Sequence, residues 1–287
     1  EVTEKVFGAA HPRSQSFRQV LNQLQFRQIA QAGSEQLYTT STAQSGNTEL
    51  DALECCAMEL ANSGRVAEAL PLMEQALTER EARGEVAISL LATGWSGLGE
   101  RYEDEGRSAD AFRAYAKALD LKRQFYGSDA SETLEEMENI ALMLSDLRRY
   151  QEALPYFQEL ADARSRTLGP RNPKTIEGLA FLGTALCRVD RQQEALVPYR
   201  EALGLAQSMY GHAHRETILA SQNLAITLLD VGLADEAAET LEIAVLSANR
   251  ILGASDPLTA SCERQLAEAR SRQAAAPPGE PHAQNGR

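Results

Sequence analysis

Residues 95–118 read WSGLGERYEDEGRSADAFRAYAKA, and the spacing of their apolar and small residues decides the fold. Trp95, Leu98, Gly99 and Tyr102 stand at i, i+3, i+4 and i+7, one face of a helix. Gly106 interrupts the run, and Ala111, Tyr115 and Ala118 resume the helical spacing. The pattern predicts two antiparallel helices joined by a short turn.

The same pattern recurs every 42 residues on either side. Ala69, Ala111, Ala153, Ala195 and Ala237 share one register, and Cys56, Leu98, Ile140, Leu182 and Leu224 share another. Gly127, Gly169, Gly211 and Gly253 keep the step, as do Thr133, Thr175, Thr217 and Thr259. Small residues (Ala57, Gly99, Ala141, Gly183, Ala225) are matched by large ones (Met73, Tyr115, Phe157, Tyr199, Leu241). A missing side chain lets two helices approach, and the large residue fills the space beside it. Gly64, Gly106 and Gly232 occupy three of the five turns; Arg148 and Asp190 replace glycine in the other two. One helix pair cannot bury both of its faces, whereas stacked pairs can.

These residues resemble tetratricopeptide repeats: Trp95-x2-Leu98-Gly99-x2-Tyr102, then Ala111, Tyr115 and Ala118, follow that family's pattern closely. The ordinary repeat has about 34 residues. The longer 42-residue form, with loops such as Gly169 to Pro173 and Gly253 to Pro257, is similar to repeats of the kinesin light chain type. Leu160 departs from the usual small residue. The resemblance implies an all-α fold, an α-solenoid in which antiparallel helix pairs wind into a right-handed superhelix. Five repeats are expected over residues 48–253 and a C-terminal capping helix over 254–272. Residues 1–47 read as a degenerate capping unit and loop, with a helical stripe at Phe17, Val20, Leu21 and Leu24. Residues 273–287, containing Pro277-Pro278-Gly279, read as a disordered tail. The chain begins at Glu1, so a processed chain, or an excerpt of a longer array, is expected.

Composition narrows the partners. The 287 residues hold 28 Lys+Arg against 41 Asp+Glu, a net charge of −13. Residues 1–46 and 271–287 each carry a net +1, which leaves −15 on residues 47–270. Such a charge argues against nucleic acid, whose phosphates call for a basic stripe. It argues equally against anionic lipid. No apolar run approaches the roughly 20 residues that span a bilayer. No signal peptide is visible at the start. Four cysteines do not make a disulfide framework, so a reducing, cytoplasmic setting is expected.

Chemistry-bearing motifs are sparse. His212-x-His214 has no further Cys or His close in sequence and reads as a polar loop. Gly94-Trp95-Ser96-Gly97 lacks the glycine spacing of a nucleophile elbow. Cys56 takes a register otherwise held by Leu or Ile and is expected in the core; Cys262 is expected in the packing of the last helix, and Cys187 on the inner helix face. No catalytic site, metal or cofactor is expected.

In the family the resemblance points to, the first helix of each pair lines a concave groove. Five positions per repeat face it: the second, fifth, ninth, twelfth and thirteenth of that helix. Ten of these 25 positions are acidic here: Asp51, Glu54, Glu100, Glu103, Asp104, Glu135, Glu138, Asp146, Glu177 and Asp230. Chain-average composition would place about three or four there. Arg188 is the one base; Gln222 and Ile226, with Leu219 and Leu229, make the last repeat less charged. The expected function is a non-catalytic interaction scaffold or adaptor, binding a protein or peptide with a basic segment and an apolar anchor. The preference of kinesin light chains for acidic cargo does not carry over to such a face. The alternative is a sensor or autoinhibitory arm controlling a protease or a nucleotide-driven switch within a larger protein or complex.

Overall fold

The computed structural model describes residues 44–84 and 86–275. The capping unit and helical stripe expected before residue 44, and the tail expected after residue 275, lie outside the described residues. Among the described residues there are eleven α-helices and no strand. They form five pairs: α1 (Gln44–Asn62) with α2 (Val66–Arg83), α3 (Ile88–Asp104) with α4 (Ser108–Tyr126), α5 (Ser131–Asp146) with α6 (Tyr150–Thr167), α7 (Pro173–Arg188) with α8 (Gln192–Tyr210), and α9 (Arg215–Asp230) with α10 (Ala234–Ile251). A last helix, α11 (Pro257–Ala275), packs on α10 and α9. The chain divides into two compact units within α5, the first ending at Glu136 and the second starting at Met137. Helix α1 starts at Gln44, inside the stretch expected as a loop, and Leu50 within it is fully buried. Helix α11 likewise runs to Ala275, three residues into the expected tail, and Gln273 bonds Asp235 of α10 at 2.9 Å.

Each pair turns by one device. The N–H of the residue at the turn bonds back to a carbonyl three residues earlier, and the next N–H bonds five residues back, as for Gly106 to Glu103 and Arg107 to Tyr102. This satisfies carbonyls that the helix end leaves open. It requires a left-handed residue, and Gly64, Gly106 and Gly232 have φ of +80°, +72° and +82°. Arg148 and Asp190 take the same conformation at φ +60° and make the same two bonds, so the chain accepts their Cβ penalty to keep the turn.

In three of its four copies the 42-residue register of Gly and Thr is a hydrogen bond, whereas the Thr259 hydroxyl is buried without one. Thr133, Thr175 and Thr217 donate their hydroxyls to the carbonyls of Gly127, Gly169 and Gly211 at 2.7, 2.8 and 2.7 Å. Each bond ties the entry of a first helix to the exit of the preceding second helix. Asn172 and Asp256 cap α7 and α11, with proline at the first helical position of each.

The small and large registers meet as the sequence implies. Ala69, Ala111, Ala153, Ala195 and Ala237 are all fully buried. A Cβ built on Gly99 would lie 2.6 Å from Tyr115 Cδ1, and one on Gly183 would lie 2.7 Å from Tyr199 Cε1. Glycine stands where the large partner is tyrosine; alanine stands where it is Met73, Phe157 or Leu241. The longer tyrosine needs the room of one further methyl. Leu160 is fully buried where the equivalent positions hold Ala76, Ala118, Ala202 and Ala244.

Two stability outcomes follow. Gly99→Leu should cost about 1–3 kcal/mol in urea denaturation by overpacking the α3–α4 crossing. Arg148→Gly should raise stability by roughly 0.5–1 kcal/mol by relieving the left-handed backbone; a lower midpoint for that variant would show that the Arg148 side chain stabilises the turn.

Candidate functional site

Two faces of each first helix are used in packing. Gly99 and Gly183 face the second helix of their own pair. Gly94 faces Leu77 of the preceding α2, where an added Cβ would lie 2.6 Å from Cδ2, and Gly178 faces Ala161 and Arg164 of α6. The predicted site residues are expected on the remaining face.

In the first unit, Asp51, Glu103, Asp104 and Glu135 are exposed. Glu54 is not: it is 3% exposed and held by Arg80 through two hydrogen bonds, that from Nη2 being 2.7 Å. Glu100 is half-buried. Tyr115, reaching across Gly99, donates its hydroxyl to Glu103 at 2.9 Å. Beneath them lies Glu136, 1% exposed, which accepts from Lys122 Nζ at 2.6 Å and from the Ser96 hydroxyl at 2.7 Å. Burial is the main reason that the Glu100 carboxyl is pushed up to about 7. Glu136, Asp104 and Glu103 add repulsion in that order, and Lys122 opposes them. Burial also raises Asp104.

In the second unit, Glu138 accepts from Arg164 Nη2 at 2.7 Å, and Arg164 is 1% exposed. Arg164 Nη1 lies 3.7 Å from Glu177. Burial, then Glu138, raises the Glu177 carboxyl, while Arg164 and Lys174 lower it. Asp146, Glu177, Arg188, Ile226 and Asp230 are exposed, and Arg188 sits over the Tyr150 ring at 5.8 Å. Gln222 donates to Ser261 of α11 at 2.7 Å. Leu229 is buried rather than on an open face, because α11 covers that end of α9 and Arg272 bonds the Leu229 carbonyl at 2.6 Å. The third face of α7 and α9 borders a cleft of about 420 Å³ with α8 as its floor. Ile176, Phe181, Tyr199, Tyr210 and Leu219 line it together with Ala180, Ala202 and Ala220, and Lys174, Glu177, Glu216 and Asn223 complete its border.

Glu54 and Glu138, expected as groove carboxylates, are both occupied by ion pairs. Arg80, Lys122 and Arg164 stand 42 residues apart on the second helices, a regular signal that the reading missed. Glu54, Ser96 and Glu138 also share one register. Where Ser96 replaces the carboxylate, Glu136 supplies it to Lys122. Glu136 occupies a position held by Ala52, Gly94, Gly178 and Ala220 in the other repeats, so nothing in one repeat alone marks it.

Cys56 is exposed, against the expectation of a core residue. It lies on the face of α1 that matches the Gly94–Leu98 face of α3, the one facing a preceding helix; no helix of the described residues precedes α1. Cys187 is half-buried, its sulfur 3.5 Å from the Thr227 hydroxyl, and Cys262 is buried. His214 Nδ1 accepts from the Glu216 N–H at 3.3 Å to cap α9, and its ring stacks on Tyr210 at 4.3 Å. Among the described residues, no group of three His, Cys, Asp or Glu is placed to hold a metal ion, and no helix is long and apolar enough to cross a membrane.

The raised Glu100 has a signed consequence. Its carboxyl ionises near 4.5 in the unfolded chain and near 7 in the folded one. The folded state therefore binds more protons between those values, and stability falls as pH rises through that window. Glu100→Gln should stabilise the chain by roughly 1–3 kcal/mol at pH 8 and by almost nothing at pH 4.5, read by urea denaturation at both. An equal change at the two pH values would remove the assignment.

Comparison with known proteins agrees with this architecture. The tetratricopeptide repeat family model matches residues 132–208. A putative kinesin light chain structure of nearly identical TPR-like repeats from Podosopora anserina is 18% identical, covering 70% of this chain and 96% of that one, with a TM-score of 0.55. BtubC from P. vanneervenii is 17% identical, covering 91% and 93%, with a TM-score of 0.49. No curated protein matches the sequence. The likeness is one of fold, that of α-solenoid repeats. Residues 132–208 carry the sequence pattern of the tetratricopeptide repeat, and a helix pair of the same kind recurs from Gln44 to Ile251.

Proposed function

We propose that this chain is a non-catalytic adaptor that binds a basic segment of another protein on the open face of its first helices. One observation carries the reading: Glu100, Glu103 and Asp104 lie together on α3 with Glu136 beneath them, and burial and mutual repulsion hold Glu100 near 7. Lys122, which opposes this repulsion at Glu100, is bonded to Glu136, and Arg101 opposes it at Asp104. A carboxylate held in its costly ionised form gains most from an incoming cation. Convergent negative charge also accelerates encounter with a basic partner. The two carboxylates withdrawn into ion pairs, Glu54 and Glu138, are excluded from this surface. Four unpaired thiols support a reducing, cytoplasmic setting.

A fluorescein-labelled decapeptide of arginine tests the reading by anisotropy. The full chain should bind it, with affinity falling by about tenfold or more between 50 and 200 mM salt. Affinity should also be lower at pH 6 than at pH 8, as Glu100 takes a proton. The triple variant Glu100→Lys, Glu103→Lys, Asp104→Lys should abolish binding; undiminished binding by that variant would overturn the proposal.

A further inference from the structure

The cleft bordered by α7, α8 and α9 in the second unit has a chemistry different from the acidic face of α3. Its volume of about 420 Å³ falls in the range of pockets that hold compact apolar groups. It exists because Ala180, Ala202 and Ala220 are small at three adjoining positions. The surrounding walls are apolar, with Phe181 and Leu219 only partly buried. Its rim is charged and unequal: Glu177 and Glu216 face one ammonium, Lys174. Arg164 reaches to 3.7 Å from Glu177, but its guanidinium is already bonded to Glu138. Glu138 shares that guanidinium, so Arg164 and Lys174 offset only part of the burial and repulsion at Glu177.

We infer that this cleft receives the apolar anchor of a protein segment, a large aromatic or aliphatic side chain with an arginine or lysine beside it. The anchor fills the space over the three alanines, and its neighbouring cation meets Glu177 and Glu216 at the rim. Apolar burial supplies affinity, and the two carboxylates select the sign of the flanking residue. This rests on the adaptor reading, but it concerns another surface and fails separately from it.

Three labelled dodecapeptides with glycine–serine flanks test it by anisotropy on the full chain: one centred on tryptophan–arginine, one on alanine–arginine and one on tryptophan–glutamate. The first should bind saturably, and the other two about tenfold more weakly or less. Ala180→Leu, which fills the cleft, and the exposed pair Glu177→Lys with Glu216→Lys should each weaken the first peptide by a similar factor. The charge-reversed pair keeps the test decisive if Ala180→Leu disturbs packing. Absence of saturable binding by the tryptophan–arginine peptide would overturn the cleft assignment, as would equal binding of all three peptides or unchanged affinity in the charge-reversed pair. The arginine decapeptide and the α3 triple variant decide the adaptor reading independently.

Discussion

Two helices of a pair can touch only where one of them has almost no side chain, and the rest of the structure is arranged around that crossing. Gly99 lies under the ring of Tyr115 and Gly183 under that of Tyr199, at distances that leave no space for a methyl group. Where the ring is replaced by Met73, Phe157 or Leu241, alanine suffices. The coupling extends to the functional face. Because glycine lets the tyrosine ring slide across the first helix, its hydroxyl emerges on the far side, bonded to Glu103 in one case and to Thr184 in the other. A packing choice in the core therefore orients a carboxylate that the proposed partner would meet.

Charge is divided by the same architecture. Acidic residues of the first helices have two fates, according to whether the second helix offers a cation. Arg80, Lys122 and Arg164 draw Glu54, Glu136 and Glu138 inward. A buried carboxylate without such a partner would carry a desolvation cost of several kcal/mol. Repeats four and five have Ala206 and Ala248 at the cation's position, with Ala180 and Gln222 in place of the glutamate, so the ion pair gives way to two alanines in repeat four and to an alanine and an amide bonded to Ser261 in repeat five. Ala180 then borders the cleft. The site proposed there arises where the charged pair is absent, and the acidic face of α3 arises where carboxylates outnumber cations.

The sequence alone was sufficient for the helices, their pairing and the turns. A 42-residue period repeats every local decision several times, and local physics is the same in each copy: a left-handed turn residue, a small residue at a crossing, a threonine reaching a glycine carbonyl. Even the exceptions at Arg148 and Asp190 were legible, because the period shows which residue stands in for glycine. Only the tertiary structure decided the state of each side chain on the open face. Position in a repeat says which way a residue starts out from its helix. Whether Glu54 meets solvent or Arg80, whether Leu229 lies under α11, and whether three alanines leave a cleft depend on neighbours in other helices, whose side chains vary from copy to copy.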